Sequence, residues 1–239
     1  MLDEIFKKTQ PVLIKENILN LEQLLYITSE VKAHTETWSH MGDWSEEYKG
    51  IPLHLIGWPL FRNCKTDLRP LIIKRSSWFL KKHSWLLDTF TSALTEVIGI
   101  PCLHKPNESL PGFQIFNTAK NTLSNSYSPK TYHVDYTVMR QEDNEALLTF
   151  FNSDLEYDRN VYSFLICLEL PKNGGGLIWK DINEQPHYFP YKVGNLYGWP
   201  GRMPHTYADV NLDDEDSYRI TFQIHGTIHK KQQIFYYWW

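Results

Sequence analysis

Two histidines and one aspartate stand in segments whose composition predicts β-strands. His133 and Asp135 are separated by one residue in the strand-like run Tyr132–Val138, and His205 begins another such run further along the chain. Alternate residues of a strand point to the same face, so His133 and Asp135 can converge on one point. Two imidazoles and one carboxylate form the facial ligand set that binds Fe(II) and leaves other coordination positions open. These residues therefore predict a metal site at which an oxidant and a co-substrate could also bind.

An arginine and a threonine follow the second histidine with the same two-residue spacing. Arg219 and Thr221 lie in the strand-like run Tyr218–Ile228, where they share one face. A guanidinium fork beside a hydroxyl suits a carboxylate at the far end of a molecule that chelates the metal. The sequence thus predicts an anion-binding position beside the metal site.

Four short motifs follow one another in the second half of the chain. H-x-D comes first, then a Gly-rich turn before an apolar strand (Gly174–Ile178), then a Gly-led strand (Val193–Tyr197) leading to the distal histidine, and finally R-x-T. Their order and spacing resemble those of the Fe(II)/2-oxoglutarate-dependent dioxygenases. The resemblance covers about residues 111–229, whereas residues 1–110 match no family that we identify.

This resemblance implies a fold and a set of ligands. The family fold is a double-stranded β-helix, which is a jelly roll of two facing antiparallel sheets. His133, Asp135 and His205 would bind Fe(II). Arg219 would pair with the C5 carboxylate of the co-substrate 2-oxoglutarate, and Thr221 would assist it.

Some further residues are assigned less directly. Gln114 lies in the first strand expected for the barrel, where many relatives place a polar contact to the co-substrate, although an ordinary sheet-face glutamine is the alternative. Five residues flank the motifs and could line the substrate mouth or simply pack at its rim: Tyr136, Arg140, Trp179, Trp199 and Arg202.

The resemblance also implies a reaction. Dioxygen and 2-oxoglutarate would be consumed together, and a substrate C–H bond would be hydroxylated or oxidised in a related way. Relatives that halogenate carry a small residue in place of the H-x-D carboxylate, so Asp135 predicts oxygen insertion rather than chlorination. The expected substrate is a small amino-acid-like molecule or metabolite. A peptide or protein side chain is one alternative, and a non-catalytic, cupin-like metal- or ligand-binding module is another, because pocket shape and not motif decides the substrate.

The second half of the chain has the texture of an all-β domain, which favours a sandwich, barrel or jelly roll. The fold class predicted is mainly β with flanking helices. The strand-like runs are Phe113–Phe116, Tyr132–Val138, Leu147–Phe151, Tyr162–Leu170, Leu177–Lys180, Tyr188–Phe189, Asn195–Trp199, Thr206–Val210 and Tyr218–Ile228.

Residues 1–110 are predicted to form a helical region that packs on a core of residues 111–239, as one structural domain. Apolar residues from Ile18 to Val31 recur at helical spacing, at Ile18, Leu21, Leu24, Leu25, Ile27 and Val31. Residues 76–98 predict the longest helix, which Gly99 and Pro101 would end.

Composition excludes several classes of protein. The chain has 239 residues and a formal net charge of -4, and this slight acidity argues against a nucleic-acid partner. Its apolar runs are too short to cross a bilayer, so no membrane partner is expected. Three cysteines without a CxxC pair suggest neither a disulfide framework nor a zinc ribbon, and a reducing cytoplasm is the expected location.

Aromatic residues make up 15% of the chain and are dense at its end, Phe235–Trp239. That segment could pack on the barrel, contact a partner subunit or cap the pocket, and packing is the preferred interpretation. Three histidines, His187, His225 and His229, have no motif partner and are interpreted as structural.

Overall fold

The computed structural model describes residues 12–43, 53–58, 68–104, 110–117, 132–135, 160–172, 174–207 and 217–239. Its α-helices are α1 (Leu21–Ala33), α2 (Arg69–Lys82) and α3 (Ser84–Ile98). Two short 3-10 helices span Thr35–Thr37 and Met41–Asp43. The strands are β1 (Leu13–Lys15), β2 (Ser39–His40), β3 (Leu53–Trp58), β4 (Cys102–His104), β5 (Leu110–Asn117), β6 (Tyr162–Glu169), β7 (Leu177–Lys180), β8 (Pro186–Phe189), β9 (Leu196–Pro200), β10 (His205–Tyr207), β11 (Tyr218–His229) and β12 (Ile234–Trp238).

A large sheet forms the main layer of the fold. Its strands follow the order β1-β9-β6-β11-β5-β3-β2, and each neighbouring pair is antiparallel. The first half of β11 lies between β5 and β6. Its second half pairs with β12, which in turn pairs with β4 in parallel. The strand β11 therefore runs through the centre of this sheet.

A smaller antiparallel sheet, in the order β10-β7-β8, forms the second layer. The segment 132–135 joins it, because His133 and His205 exchange both backbone hydrogen bonds, at 3.0 and 2.9 Å. From β5 to β11 the chain passes back and forth between the two sheets, with β5, β6, β9 and β11 in the large sheet and the segment 132–135, the hairpin β7-β8 and β10 in the small one, which is the path of a jelly roll. This topology confirms the predicted double-stranded β-helix.

The alternation of side chains along β5 and β11 separates an apolar outer face from a polar inner one. Phe113 and Phe222 face the helices, where they pack against Phe79 of α2 and Phe90 of α3 at ring-centroid distances of 5.8 and 5.6 Å. Side chains one residue along the strands, such as Thr221, point to the opposite face. The helices thus cover one side of the large sheet, and the other side faces the small sheet.

The N-terminal helices differ from the prediction in two respects. The expected helix 76–98 is two helices, because His83 leaves helical geometry (φ -108°, ψ 27°) and separates α2 from α3. His83 is buried against Phe79, with its Nε2 3.2 Å from Oε2 of Glu30. Hydrophobic spacing continues across one non-helical residue, so it did not indicate this break.

Helix α1 carries a narrower buried stripe than its spacing predicted. Leu24, Ile27 and Val31 are buried, but Leu21 and Leu25 are exposed. A helix that packs on only one layer buries one stripe of side chains, so the flanking leucines remain at the surface. The helix begins with a capping box, in which Asn20 and Gln23 bond each other's backbone N–H groups.

The aromatic C-terminal segment packs on the sheet. Phe235, Tyr237 and Trp238 are buried in β12, and Trp239 is buried beyond it. This placement agrees with the preferred interpretation of the segment.

Other sequence predictions fall partly or wholly outside the described residues. The run Leu147–Phe151 lies wholly outside them, and so do Tyr136 and Arg140. Of residues 1–110, the described part holds strands β1, β2, β3 and β4 of the large sheet as well as the helices, and the domain boundary near residue 110 stays a prediction. No helix in the described ranges is long and apolar enough to cross a membrane.

Candidate functional site

The structure brings the two histidines and the aspartate together between the sheets. One ligand atom from each of His133, Asp135 and His205 lies within 4.8 Å of the others. Nε2 of His205 is 3.2 Å from Oδ2 of Asp135, and Nε2 of His133 is 3.6 Å from its Oδ1. The backbone bridge between His133 and His205 fixes this arrangement, because directly opposed residues of an antiparallel pair place their side chains on the same face.

The orientation of His205 is fixed by a second bond. Its Nδ1 lies 2.8 Å from the backbone carbonyl of Met203, so Nδ1 carries a proton and donates it. Nε2 is therefore the nitrogen that faces the other two residues. Metal-ligating histidines characteristically donate their second N–H to a carbonyl or carboxylate in this way.

Electrostatics keep the carboxylate of the cluster ionised. Burial opposes ionisation of Asp135, but the charge and hydrogen bond of His205, with smaller contributions from His225 and His133, hold its pKa well below the usual range. Burial lowers the pKa of His205, yet Asp135 outweighs this effect and raises it. The carboxylate is thus ionised at neutral pH. The side chain of His133 is 45% exposed and that of His205 only 2%, so the cluster opens toward solvent on the His133 side.

Arg219 lies fully buried on β11 without a carboxylate partner among the described residues. Its Nε donates to the carbonyl of Gly175 at 3.0 Å. Both Nη1 and Nη2 are buried and have no hydrogen-bond partner in the described part of the chain. Because a buried cation is costly unless it is paired, this guanidinium is suited to binding an anion.

Two tyrosine rings lie close to the guanidinium of Arg219. The Tyr207 ring lies 4.3 Å from the guanidinium carbon, and the Tyr191 ring lies 5.9 Å from it. The hydroxyls of Tyr191 and Thr221 are buried and unpaired among the described residues. Burial raises the pKa of Tyr191 well above its usual value, although Arg219 opposes this, so the phenol remains a neutral donor. The group of donors suits a carboxylate.

We call the group formed by Arg219, Thr221, Tyr191 and Tyr207 the chamber. Tyr207 connects the chamber to the His–Asp–His cluster. It is two residues beyond His205 on β10, and its ring centroid is 6.4 Å from that of His133. Its hydroxyl donates to Oε1 of Gln114 at 2.9 Å, which places Gln114 at the edge of the chamber. One aromatic side chain therefore separates the anion-binding end from the candidate metal ligands.

The structure also places the predicted mouth residues. Trp199 is buried, and its Nε1 donates to Oδ2 of Asp135 at 3.2 Å. Trp179 stacks on His187 at 4.4 Å, beside the small-sheet strand that carries His205. Arg202 is exposed.

Sequence reasoning missed four residues of the site. Tyr191 and Tyr207 are in the chamber, while Ser163 and His225 are behind Asp135, with Ser163 Oγ 2.6 Å from Oδ2 and 2.9 Å from Nδ1 of His225. His225 was interpreted as structural because no motif included it. Only Tyr207 carried a signal, since it shares a strand face with His205.

Comparison of the sequence with protein-family models finds no match, and comparison with curated proteins finds none. Solved structures give similarities of fold. A Pseudomonas putida prolyl-4-hydroxylase has 12% identity and a TM-score of 0.48 over 95% of this chain and 98% of that chain. A Trichoplax adhaerens prolyl hydroxylase, in complex with a hypoxia inducible factor peptide fragment, has 14% identity and a TM-score of 0.49 over 96% and 88%.

A third similar structure is the epimerase SnoN from nogalamycin biosynthesis, in complex with Fe3+, alpha ketoglutarate and nogalamycin RO. It has 11% identity and a TM-score of 0.46 over 89% of this chain and 77% of that chain. At these identities and TM-scores the likeness carries no information about the chemistry of this chain.

Those residues fit both groups that the motifs imply. Two imidazole nitrogens and a carboxylate suit Fe(II). The unpaired Nη atoms of Arg219, with the hydroxyls of Thr221 and Tyr191, suit the distal carboxylate of 2-oxoglutarate.

Proposed function

We propose that this protein is a non-haem iron oxygenase that couples 2-oxoglutarate decarboxylation to hydroxylation, or a related oxidation, of a C–H bond in a small amino-acid-like or metabolite substrate. His133, Asp135 and His205 would hold Fe(II). Arg219, assisted by Thr221 and with Gln114 at the edge of the chamber, would hold the co-substrate.

One observation carries the proposal. Arg219 is 0% exposed with both Nη atoms unpaired among the described residues, and a single aromatic residue separates it from the His–Asp–His cluster. A metal-binding module alone needs no buried guanidinium beside its metal. A dicarboxylate that chelates a metal with one end and carries a carboxylate at the other requires both features.

The protein's own contribution is binding, orientation and exclusion of water. The Arg219 fork fixes the distal carboxylate, and the rings of Tyr191 and Tyr207 keep water from this pair, which strengthens it. The Met203 carbonyl holds the His205 ring in one tautomer. When Fe(II) is bound, it supplies dioxygen activation coupled to release of succinate and CO2.

The exposed side of His133 marks where a substrate can approach. His205 is enclosed by Trp199, with ring centroids 5.3 Å apart, whereas nearly half of the His133 side chain is open to solvent. Trp179 and its partner His187 stand beside the same small-sheet strand and supply a flat aromatic surface.

The test is a substrate screen read by product. Protein loaded with Fe(II) is incubated with 2-oxoglutarate, dioxygen and panels of amino acids, small metabolites and short peptides, and succinate and oxidised product are measured by mass spectrometry. Succinate release that a small molecule stimulates is expected, and His205→Ala should abolish it. Stimulation by peptides alone would show that the substrate is a peptide side chain instead of a small molecule. Tight binding of metal and 2-oxoglutarate without succinate under any condition would instead identify a binding module.

A further inference from the structure

The Asp135 carboxylate accepts hydrogen bonds from two residues of the large sheet, on the side away from the two histidines. Its Oδ2 accepts hydrogen bonds from Ser163 Oγ at 2.6 Å and from Trp199 Nε1 at 3.2 Å. Ser163 on β6 and Trp199 on β9 are directly paired in the sheet. Both are buried, at 1% and 4% exposure. The carboxylate therefore meets the histidines of the small sheet on one side and two fixed donors of the large sheet on the other.

Ser163 also connects the Asp135 carboxylate to His225. The Ser163 hydroxyl has a single proton, and it donates that proton to the ionised Asp135. Ser163 Oγ also lies 2.9 Å from Nδ1 of His225, and this second bond needs a donor. His225 must therefore carry its proton on Nδ1 and donate it to Ser163. The result is a directional chain from His225 through Ser163 to Asp135.

The two oxygens of Asp135 consequently have different surroundings. Oδ2 is engaged by Ser163 and Trp199, and the neighbouring Nε2 of His205 would lose its proton when it binds a metal. Oδ1 accepts from neither donor and lies 3.6 Å from Nε2 of His133. A carboxylate oxygen with two strong donors in place has little lone-pair capacity left for a cation.

We infer that Ser163, Trp199 and His225 are positioning residues that reserve Oδ2 of Asp135 and present Oδ1 to the metal. This inference rests on the proposed function, because it takes the His–Asp–His cluster to be a metal site. Ser163 and Trp199 act on the carboxylate directly. His225 acts through Ser163, by keeping the hydroxyl proton aimed at Asp135.

The inference predicts a graded series of metal affinities. Removing partners that orient a metal ligand typically lowers affinity about 10–100-fold. Ser163→Ala and Trp199→Phe should each lower Co(II) and Mn(II) affinity by about tenfold or more. His225→Leu should have a smaller effect, because the Ser163 hydroxyl remains. His225→Asn should restore affinity to nearly that of the original chain, since an amide N–H can replace the Nδ1 donor.

His229 provides a matched control. It is a buried histidine four residues further along β11, and its Nδ1 accepts from the backbone N–H of Gln232 rather than facing Ser163. His229→Leu and His229→Asn make the same two substitutions on the same strand as the His225 variants. Both should leave metal affinity unchanged, even if they lower the melting temperature.

The measurement is titration of the apoprotein with Co(II) and Mn(II) by calorimetry, with the visible spectrum of the Co(II) form as a second readout. Circular dichroism establishes that each variant is folded, and if Ser163→Ala does not fold, Trp199→Phe and the His225 pair test the same chain of bonds. The Co(II) spectrum should change in Ser163→Ala and Trp199→Phe, because the carboxylate is free to rotate. It should stay unchanged in both His229 variants.

Each outcome decides the inference. Reduced affinity and an altered spectrum in the Ser163 and Trp199 variants, with recovery in His225→Asn, would support it. Unchanged affinity and spectrum in folded variants would overturn it and leave the metal site intact. If the original chain binds neither metal, the proposed function fails as well, so the two failures are distinguishable.

Discussion

At the scale of single residues, the unusual feature is a buried cation that the described chain does not neutralise. Arg219 donates through Nε to a backbone carbonyl and leaves both Nη atoms unpaired among the residues described. Proteins rarely bury such a group without a partner, because its desolvation is costly. Among the described residues it lies close to the rings of Tyr191 and Tyr207, which can enclose an anion and are not anionic themselves.

Replacing this cation should weaken binding of the co-substrate and leave metal binding unchanged. Truncating one partner of a buried charge pair costs about 2–5 kcal/mol, so Arg219→Ala should lower 2-oxoglutarate affinity by roughly 30-fold or more. Calorimetry on the Mn(II)-loaded protein measures this directly. Arg202→Ala removes an exposed arginine that follows β9, and it should leave 2-oxoglutarate affinity unchanged. Equal 2-oxoglutarate affinity in both variants would show that another base holds the carboxylate.

At the scale of elements, close backbone approaches hold the site together. Gly201, which follows β9, packs against the backbone of Asp135. A Cβ at Gly201 would stand 2.3 Å from the Asp135 carbonyl oxygen and 2.9 Å from that of Val161. Both contacts are with backbone, which cannot rotate away, so glycine is required at this position for Asp135 to reach the histidines.

Gly201→Ala should therefore displace Asp135 and lower metal affinity by about tenfold or more. Gly99→Ala is the matched control. Gly99 ends α3 with φ 77° and has no atom within 4 Å of an added Cβ, so alanine there is strained but touches nothing. Both variants should melt at lower temperature, and calorimetry with Mn(II) should show weaker binding only for Gly201→Ala. Full metal affinity in that variant would mean that the segment can move without disturbing the site.

The break between α2 and α3 gives a second prediction at this scale. Burial lowers the pKa of His83, and this effect outweighs that of Glu30, which raises it. In the unfolded chain His83 takes up a proton as pH falls below about 6.5, whereas the folded protein resists that uptake. The unfolded state then binds more protons, so the contribution of His83 to stability is lost as pH falls from neutrality.

Urea unfolding at pH 7.5 and 5.5 tests this expectation. His83→Phe and His83→Gln carry no group that titrates in this range, so the difference in unfolding free energy between the two pH values should shrink in both. A pH dependence identical to that of the original chain in both variants would contradict it.

At the scale of the whole molecule, the end of the chain completes the sheet. Strand β12 covers the second half of β11 and joins β4 to it. Phe235 is 0% exposed, packs edge-on against Phe164 at 5.6 Å, and lies where Gly226 leaves room for its ring. This packing joins the C-terminal strand to β4, which follows the N-terminal helices, and to β6 of the large sheet.

Phe235→Ala should lower the free energy of unfolding by about 3–5 kcal/mol, because it removes a fully buried ring. Tyr236→Ala, at the next and half-buried position, should cost about 1 kcal/mol or less. Urea denaturation measures both. Metal and 2-oxoglutarate affinities of folded Phe235→Ala should be unchanged. A loss of affinity without a loss of stability would make the segment a cap on the pocket.

The sequence by itself determined the elements whose information is local. Period-2 spacing placed His133 with Asp135 and Arg219 with Thr221, because alternate residues of a strand share a face whatever surrounds them. Turn residues and β-rich runs indicated a sandwich, barrel or jelly roll, and only the resemblance of the motif order to a known family implied the jelly roll. The apolar spacing around Phe90 indicated a helix, because residues three and four apart share a helix face. It did not indicate the break at His83.

Only the tertiary structure decided which residues support those motifs. Ser163 and His225 are 62 residues apart and belong to no recognisable pattern, yet the pairing of β6 with β11 brings them behind Asp135. Tyr191 comes to Arg219 by the packing of the two sheets, and its burial, which keeps the hydroxyl neutral, is a property of that packing. Contacts between distant segments depend on strand order and register, and a linear pattern of residue types does not encode either one.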